Sequence, residues 1–258
     1  MLKGICVPSK DIFNAKNAGF DYIELPGFEI SAMTQKEFDK TCDDVKKSGI
    51  NVMGFNAYCT GALPIAGEGF DKLKTVEYAS LMCERGTALG IKNIGIGSPA
   101  ARLLNGYDVS KAYENGKNFI KLTATVAMDY GLNVLIEALH RHCCDFINTL
   151  NEAYEFMNDI NMPNVKMIID FYHMKANGED FSTASSYIQD VFDVHISGLS
   201  ENYSRPFADE IPKEDLLAIS SILKSAEYRH GVTLEPDNPK EGFSEKAKKS
   251  LEIMKTYF

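Results

Sequence analysis

Two short apolar runs, Leu132–Ile136 and Val165–Ile169, each end on a carboxylate, Glu137 and Asp170. Further along, His195 lies in the run Phe192–Ile196, and Val232–Leu234 leads to Glu235. Three carboxylates and one imidazole thus stand at matching positions of four successive runs. Held together without a cation, three carboxylates would repel and desolvate one another at a cost of several kcal/mol. A divalent cation resolves the conflict. Mostly oxygen ligands with one nitrogen suit Mn2+ or Mg2+, with Co2+ or Zn2+ as alternatives. Four protein ligands on an octahedral ion leave about two positions open. A sugar carbonyl and its neighbouring hydroxyl would fill them, and the metal would polarise the carbonyl and acidify the C–H beside it. A carboxylate on each face of that carbon could then take a proton from one side and return one from the other, which is epimerisation through an enediolate. Return to the neighbouring carbon would be aldose–ketose isomerisation.

Such a set works only if the elements carrying it converge. Leu132–Glu137 and Val165–Asp170 are Val/Ile-rich runs flanked by polar residues, as in strands buried on both faces, and the segment between them has helical character. Strand, helix, strand makes the two strands parallel and brings both carboxylates to the C-terminal end of the sheet. The same alternation runs along the whole chain. Strands are expected at Leu2–Val7, Phe20–Leu25, Ile50–Phe55, Lys92–Ile96, Phe192–Ile196 and Val232–Leu234. Helices are expected at Ser9–Ala18, after the Thr34/Glu37 capping-box pair, and at Phe70–Leu89, Val109–Tyr130, Ala176–Gln189, Lys213–Glu227 and Ser244–Thr256. Glycines at 19, 49, 90, 131 and 231 read as helix stops before the strands. Eight such units close into an α/β architecture, the (β/α)8 TIM barrel, expected here as one domain over residues 1–258. The alternative, a doubly wound open sheet, lacks its Gly-rich first turn, because the first turn here is VPSKD.

The bulk properties narrow the partners. The net charge is −9, from 27 Lys and Arg against 36 Asp and Glu, which repels nucleic acid and anionic membranes. No apolar stretch approaches the roughly 20 residues that span a bilayer. The N-terminus MLKGICVP is too short for a signal peptide, and the six Cys show no CxxC spacing. The expectation is a cytoplasmic protein with reduced thiols, taking a small sugar or polyol-derived ketone, with no nucleic-acid or membrane partner and with homo-oligomerisation left open.

IEALHRHCCDFINT, IIDFYHM, VHIS and TLEP resemble the metal-site motifs of the xylose isomerase-like barrel superfamily, which includes sugar phosphate isomerases/epimerases and the D-tagatose and D-psicose 3-epimerases. FDYIELP and IGSPAARLLNGYD are similar to that family's strand-two and strand-four motifs. The resemblance covers nearly the whole chain. It implies an isomerase of carbohydrate metabolism in which Glu137, Asp170, His195 and Glu235 hold one metal ion and Glu137 and Glu235 are the catalytic acid/base pair. It further implies that His173 and Arg205 bind substrate, with Arg102 a second arginine candidate, and that Glu24 and Asn56 line the pocket. The chain departs from the 3-epimerase pattern where Cys143 replaces a second substrate-binding glutamate, and where HISGLSENYSRPFADE lacks the usual Pro-Gly turn and closer Arg. It has no Trp to stack on sugar, leaving Tyr58, Tyr107 or Phe171 for that role.

Competing functions use the same barrel. Dehydration of an inosose or isomerisation of hydroxypyruvate could use the same metal and carboxylates. An apurinic endonuclease needs a His-rich multi-zinc cluster, but the chain has five His, one of which, His230, is expected on an exposed helix. A non-catalytic sugar-binding barrel would not need both Glu137 and Glu235. No phosphate-cradling Gly-rich loop follows strand seven or eight, which favours an unphosphorylated substrate.

Overall fold

In a computed structural model, which describes every residue except Asn238 and Lys240, the apolar runs become eight parallel strands. They are β1 (Lys3–Cys6), β2 (Tyr22–Pro26), β3 (Asn51–Asn56), β4 (Asn93–Ile96), β5 (Asn133–Glu137), β6 (Val165–Asp170), β7 (Val191–Ile196) and β8 (Gly231–Leu234). Each pairs with the next, and β8 pairs with β1, so the sheet closes into a barrel in chain order. Among the described residues nine α-helices surround it: α1 (Ile12–Ala18), α2 (Gly27–Ala32), α3 (Gln35–Ser48), α4 (Lys72–Leu89), α5 (Val109–Asp129), α6 (Leu150–Ile160), α7 (Phe171–Asn177), α8 (Lys213–Ser225) and α9 (Phe243–Tyr257). This is the (β/α)8 architecture expected from the sequence. Among the described residues, no helix is long and apolar enough to cross a membrane.

The two-residue period of the strands divides the apolar from the chemical residues. Ile5, Ile23, Ile94, Ile136, Ile169, Val194 and Leu234 join the buried cluster between sheet and helices. The alternate positions face the barrel axis and include Cys6, Tyr22, Glu24, Asn56, Glu137, Asp170, Asp193, His195 and Thr233, all buried. Space inside is made by missing side chains. A Cβ on Gly4 or Gly231 would come within 2.1 or 2.0 Å of the Tyr22 ring and hydroxyl, so both glycines make room for that ring. The Tyr22 hydroxyl lies 2.7 Å from Thr233 Oγ1.

The helix signals act as local chemistry requires. Thr34 and Glu37 form the capping box of α3, which ends at Gly49 with φ +63°. Thr149 and Glu152 do the same for α6. Several expectations differ from the structure. Gly231 is not a helix stop but the first residue of β8, placed by the Tyr22 ring. The segment Ala176–Gln189 is not one helix. Asp170 caps α7 by accepting from Tyr172 N at 2.8 Å, so helix begins at Phe171, and Gly178 at φ +72° ends it. The chain then continues as 3-10 turns, Phe181–Ser186 and Ile188–Asp190. His230 is exposed but follows α8 rather than lying in it, and stacks on Phe192 at 4.7 Å. Helix α2 was not expected. It starts on Pro26-Gly27, where a Cβ on Gly27 would meet the Tyr58 backbone at 2.7 Å.

Candidate metal centre and pocket

The last residue of β5 is Glu137 and the last of β6 is Asp170, while β7 carries His195 and Glu235 directly follows β8. The register sets Asp170 beside His195 and His195 beside Thr233, two residues before Glu235. Parallel pairing therefore points all four side chains into the C-terminal mouth of the barrel, the face where such barrels keep their chemistry. One ligand atom from each lies within 4.8 Å of the others.

The imidazole of His195 divides this centre. Its Nδ1 lies 3.3 Å from Glu235 Oε2 and 3.5 Å from Glu137 Oε1, toward the ligand set. Its Nε2 lies 3.3 Å from Glu24 Oε2 and 3.6 Å from Asp193 Oδ2, on the other side. A ring nitrogen turned to an ion while its partner nitrogen faces a carboxylate is how metal-binding histidines are oriented. Burial alone would lower the His195 pKa, but the surrounding carboxylates, Glu24 foremost, outweigh it and raise it. Burial, reinforced by Asp193, raises Glu24, whereas Asp193 is held low against its own burial by the neighbouring Glu24 and His195. Beneath His195 the environment thus favours the protonated form of Glu24 and the carboxylate form of Asp193.

The other acids separate in the same way. Burial raises Glu137. Burial also acts on Glu235, but Arg205 and then His195 outweigh it and hold that carboxyl well below its usual range. Asp170 is likewise buried yet lowered by Arg205 and His173. The Arg205 guanidinium bridges them, with Nη2 2.5 Å from both Asp170 Oδ2 and Glu235 Oε2. Glu137 Oε1 and both ring nitrogens of His195 remain buried with no hydrogen-bond partner, and of the two nitrogens it is Nδ1 that faces Glu137 Oε1. Two orphaned donor atoms facing each other across an acidic cluster fit a divalent cation, because buried polar atoms otherwise carry a desolvation cost of about 1–3 kcal/mol each.

The other expected site residues divide into those at the pocket and those behind it. His173 is buried, accepts the His140 N–H at Nδ1 (3.1 Å), and sets Nε2 3.3 Å from Arg205 Nη1 and 3.7 Å from Asp170 Oδ2. Asn56 donates to Glu235 Oε1 at 2.8 Å and so holds that carboxylate. Glu24 does not line the pocket as expected; it lies behind His195, because strand parity fixes which face a residue takes but not its depth in the barrel. Arg102 also turns away. Its guanidinium donates to the carbonyls of Glu137 (2.7 Å) and Ile96, which braces the ends of β4 and β5. Tyr58 and Phe171 are wholly buried, and Tyr107 lies along a different groove, so none of the three stacks in the pocket.

A cavity of about 490 Å3 opens over Glu137 and Glu235, walled by His140, His142, Cys143, Tyr172 and Tyr203. The aromatic wall is therefore Tyr172 and Tyr203, which the sequence reading missed. Tyr172 could have been found as the neighbour of His173, and Arg205 packs over its ring at 4.2 Å. Tyr203 carries no such signal, since it depends on a loop turn with φ +59°. Asp193, also missed, was legible as the residue two before His195 and hence on the same face. Gly97 entered only as a letter of the motif IGSPAARLLNGYD, yet a Cβ there would sit 2.5 Å from Glu137 Oε2.

A family model described as xylose isomerase-like TIM barrel matches residues 12–257. The D-psicose 3-epimerase of Agrobacterium fabrum is 29% identical over 129 residues, which is 50% of this chain and 43% of that protein, so the match spans less than half of the relative's length. The L-ribulose 3-epimerase of Methylomonas sp. is 24% identical over 238 residues, covering 88% of this chain and 77% of that one. Among solved structures, D-allulose 3-epimerase from Methylomonas sp. in complex with D-allulose superposes with a TM-score of 0.83 at 18% identity, covering 100% of this chain and 97% of that one, a likeness of fold.

Proposed function

Because the chain belongs to the xylose isomerase-like TIM barrel family, we propose that it is a divalent-metal-dependent ketose epimerase or isomerase that passes a proton between substrate carbon and Glu137 and Glu235. The observation that carries this reading is the four-residue cluster with its two orphaned donor atoms. Glu137, Asp170, His195 and Glu235 would hold the ion, Mn2+ or Mg2+ by their chemistry, with Co2+ or Zn2+ as alternatives. When bound, the ion polarises a carbonyl and acidifies the neighbouring C–H.

The chain's own groups supply the rest. Glu137 and Glu235 come from strands three apart, and their environments push their affinities for a proton in opposite directions, which suits one acid and one base. Asn56 and Arg205 fix the Glu235 carboxylate. His173 is held as one tautomer: its Nδ1 accepts from the His140 N–H, so Nε2 carries the hydrogen and donates toward a substrate oxygen. Asp193 and Glu24 orient His195 from below. Arg205 is the only Lys or Arg among the described residues lining the cavity and is already engaged by two carboxylates, which supports an uncharged sugar over a phosphorylated one.

The test is proton exchange in D2O with the Mg2+-loaded protein and a panel of ketohexoses, ketopentoses, inosose and hydroxypyruvate, read by proton NMR. Deuterium at C3 of a ketose identifies epimerisation at that carbon, and deuterium at C1 identifies aldose–ketose exchange. Glu137→Gln and Glu235→Gln are each expected to abolish it. Full exchange in either variant removes that residue from the proton transfer, and no exchange with any compound by metal-loaded protein overturns the proposal.

A further inference from the structure

Beside the carboxylate centre lies a second group of ligand atoms of different chemistry. One atom each of His140, Cys143 and His173 lies within 4.8 Å of the others, on the wall of the same cavity. The hydrogen bonds fix which His140 nitrogen is available. The Tyr172 hydroxyl donates to the Tyr203 carbonyl at 2.6 Å, so its lone pair accepts from His140 Nε2–H at 3.3 Å. His140 Nδ1 is then a bare lone pair. It is buried and has no hydrogen-bond partner, and His140 as a whole is 5% exposed. An unpaired imidazole nitrogen, oriented through its far nitrogen by a tyrosine, has the form of a metal ligand supported from outside.

The neighbours complete it. Cys143 is half-buried, lines the cavity, and its thiol donates to the His140 carbonyl at 3.1 Å. Coordination through His173 Nδ1 would displace the His140 N–H that it now accepts and would leave Nε2–H toward the substrate as before. We propose that His140, Cys143 and His173 form a second metal site, selective for a soft or borderline divalent ion such as Zn2+, beside the carboxylate centre and with its remaining position open to the cavity. Two imidazoles and a thiolate favour Zn2+ over Mg2+ or Mn2+, whose preference is for oxygen. Three protein ligands leave the fourth tetrahedral position to water or to a substrate oxygen. Binding forms one Zn–S bond and releases the thiol proton to solvent, since the thiolate is the ligand. The Arg205 guanidinium, near His173, does not oppose the ion strongly, because Asp170 and Glu235 offset its charge. This arrangement is carried by residues outside the first ligand set, and Cys143 is the point at which the chain departs from the 3-epimerase pattern.

The experiment uses the full chain, stripped of metal and kept reduced with a phosphine, and titrates it with Zn2+ against a chromophoric chelator. Cys143→Ser is expected to lose one zinc equivalent relative to the wild type while binding Mn2+ unchanged. Co2+ reports the ligand directly: the wild type should show a thiolate-to-cobalt charge-transfer band in the near ultraviolet, absent in Cys143→Ser and kept in Asp170→Asn. The criterion is the equivalent lost with the thiol, not the total bound, so the result stands apart from the fate of the carboxylate centre. His140→Ala should lose the same equivalent; if it fails to fold, Cys143→Ser alone decides. A Cys143→Ser protein that binds as much zinc as the wild type, or a wild type without the thiolate band, overturns the second site.

Discussion

Gly97→Ala is expected to disable the proton transfer while leaving the barrel intact. The added Cβ would lie 2.5 Å from Glu137 Oε2 and 3.7 Å from its carboxyl carbon. Opening the first gap to an ordinary contact of about 3.5 Å moves the carboxylate by about 1 Å. Gly97 has no left-handed φ, and the atom it would strike is the end of a side chain rather than backbone, so folding is not strained. Stability should change by less than about 1 kcal/mol. A shift of about 1 Å at a reacting group costs on the order of 100-fold in rate, equivalent to about 2.7 kcal/mol. The assay is kcat/KM by deuterium exchange under saturating Mg2+, with metal content and Tm measured on the same preparation. If activity stays within about threefold of wild type with metal bound, Glu137 is not confined by the β4 loop and the reasoning fails. If Tm falls steeply instead, the barrel mouth cannot give by side-chain movement alone, and the reasoning fails in the other direction.

Other outcomes test the walls of the site. Arg102→Met removes both donors from the Ile96 and Glu137 carbonyls, leaving them buried and unpaired; stability should fall by about 2–5 kcal/mol in urea unfolding, and an unchanged midpoint would mean that water or rearrangement satisfies them. Burial, with Arg205 adding to it, depresses the His173 pKa to about 3. From about pH 6.5 down to that value the unfolded chain binds a proton that the folded chain refuses, so stability is lost as pH falls, at about 1.4 kcal/mol per unit. His173→Asn should flatten that slope in Tm measured from pH 7 to pH 4, and an equal slope in both proteins would place the titration elsewhere.

How much could be read from the chain depends on how local each signal is. The strands were legible because each is a short Val/Ile-rich stretch between helix-stop and turn signals, and Glu137, Asp170 and Glu235 were legible because each ends or directly follows such a stretch. Helix ends marked by Gly19, Gly49 and Gly90 were also local, since each adopts positive φ. Gly231 was misassigned because its glycine is required by Tyr22, more than 200 residues away in the chain, not by its neighbours. Arg102 and Glu24 show the same boundary. Strand and loop position said that each lies near the mouth of the barrel, but not whether carbonyls or His195 would claim its side chain before the cavity did. Tyr203 enters the pocket through the conformation of a long polar loop, a property that no periodicity encodes.

Charge balance links the buried layers to the proposed chemistry. Glu24, Glu137, Asp170, Asp193 and Glu235 place five carboxyl groups around His195, and Arg205 is the fixed cation among them. Burial and Asp193 favour the protonated form of Glu24, which would remove one negative charge, and Arg205 offsets another. Three remain. On the proposed function a divalent ion with a neutral His195 balances two of them, leaving one negative charge that buried groups will not hold cheaply without a partner. One further proton neutralises the centre, and on this proposal Glu137 would carry it, since Asp170 and Glu235 are both bound by Arg205. A site that is neutral with one proton on two carboxylates already has an acid and a base. Moving that proton through the substrate leaves the total charge unchanged at every stage, so no step adds an uncompensated charge to the buried cluster.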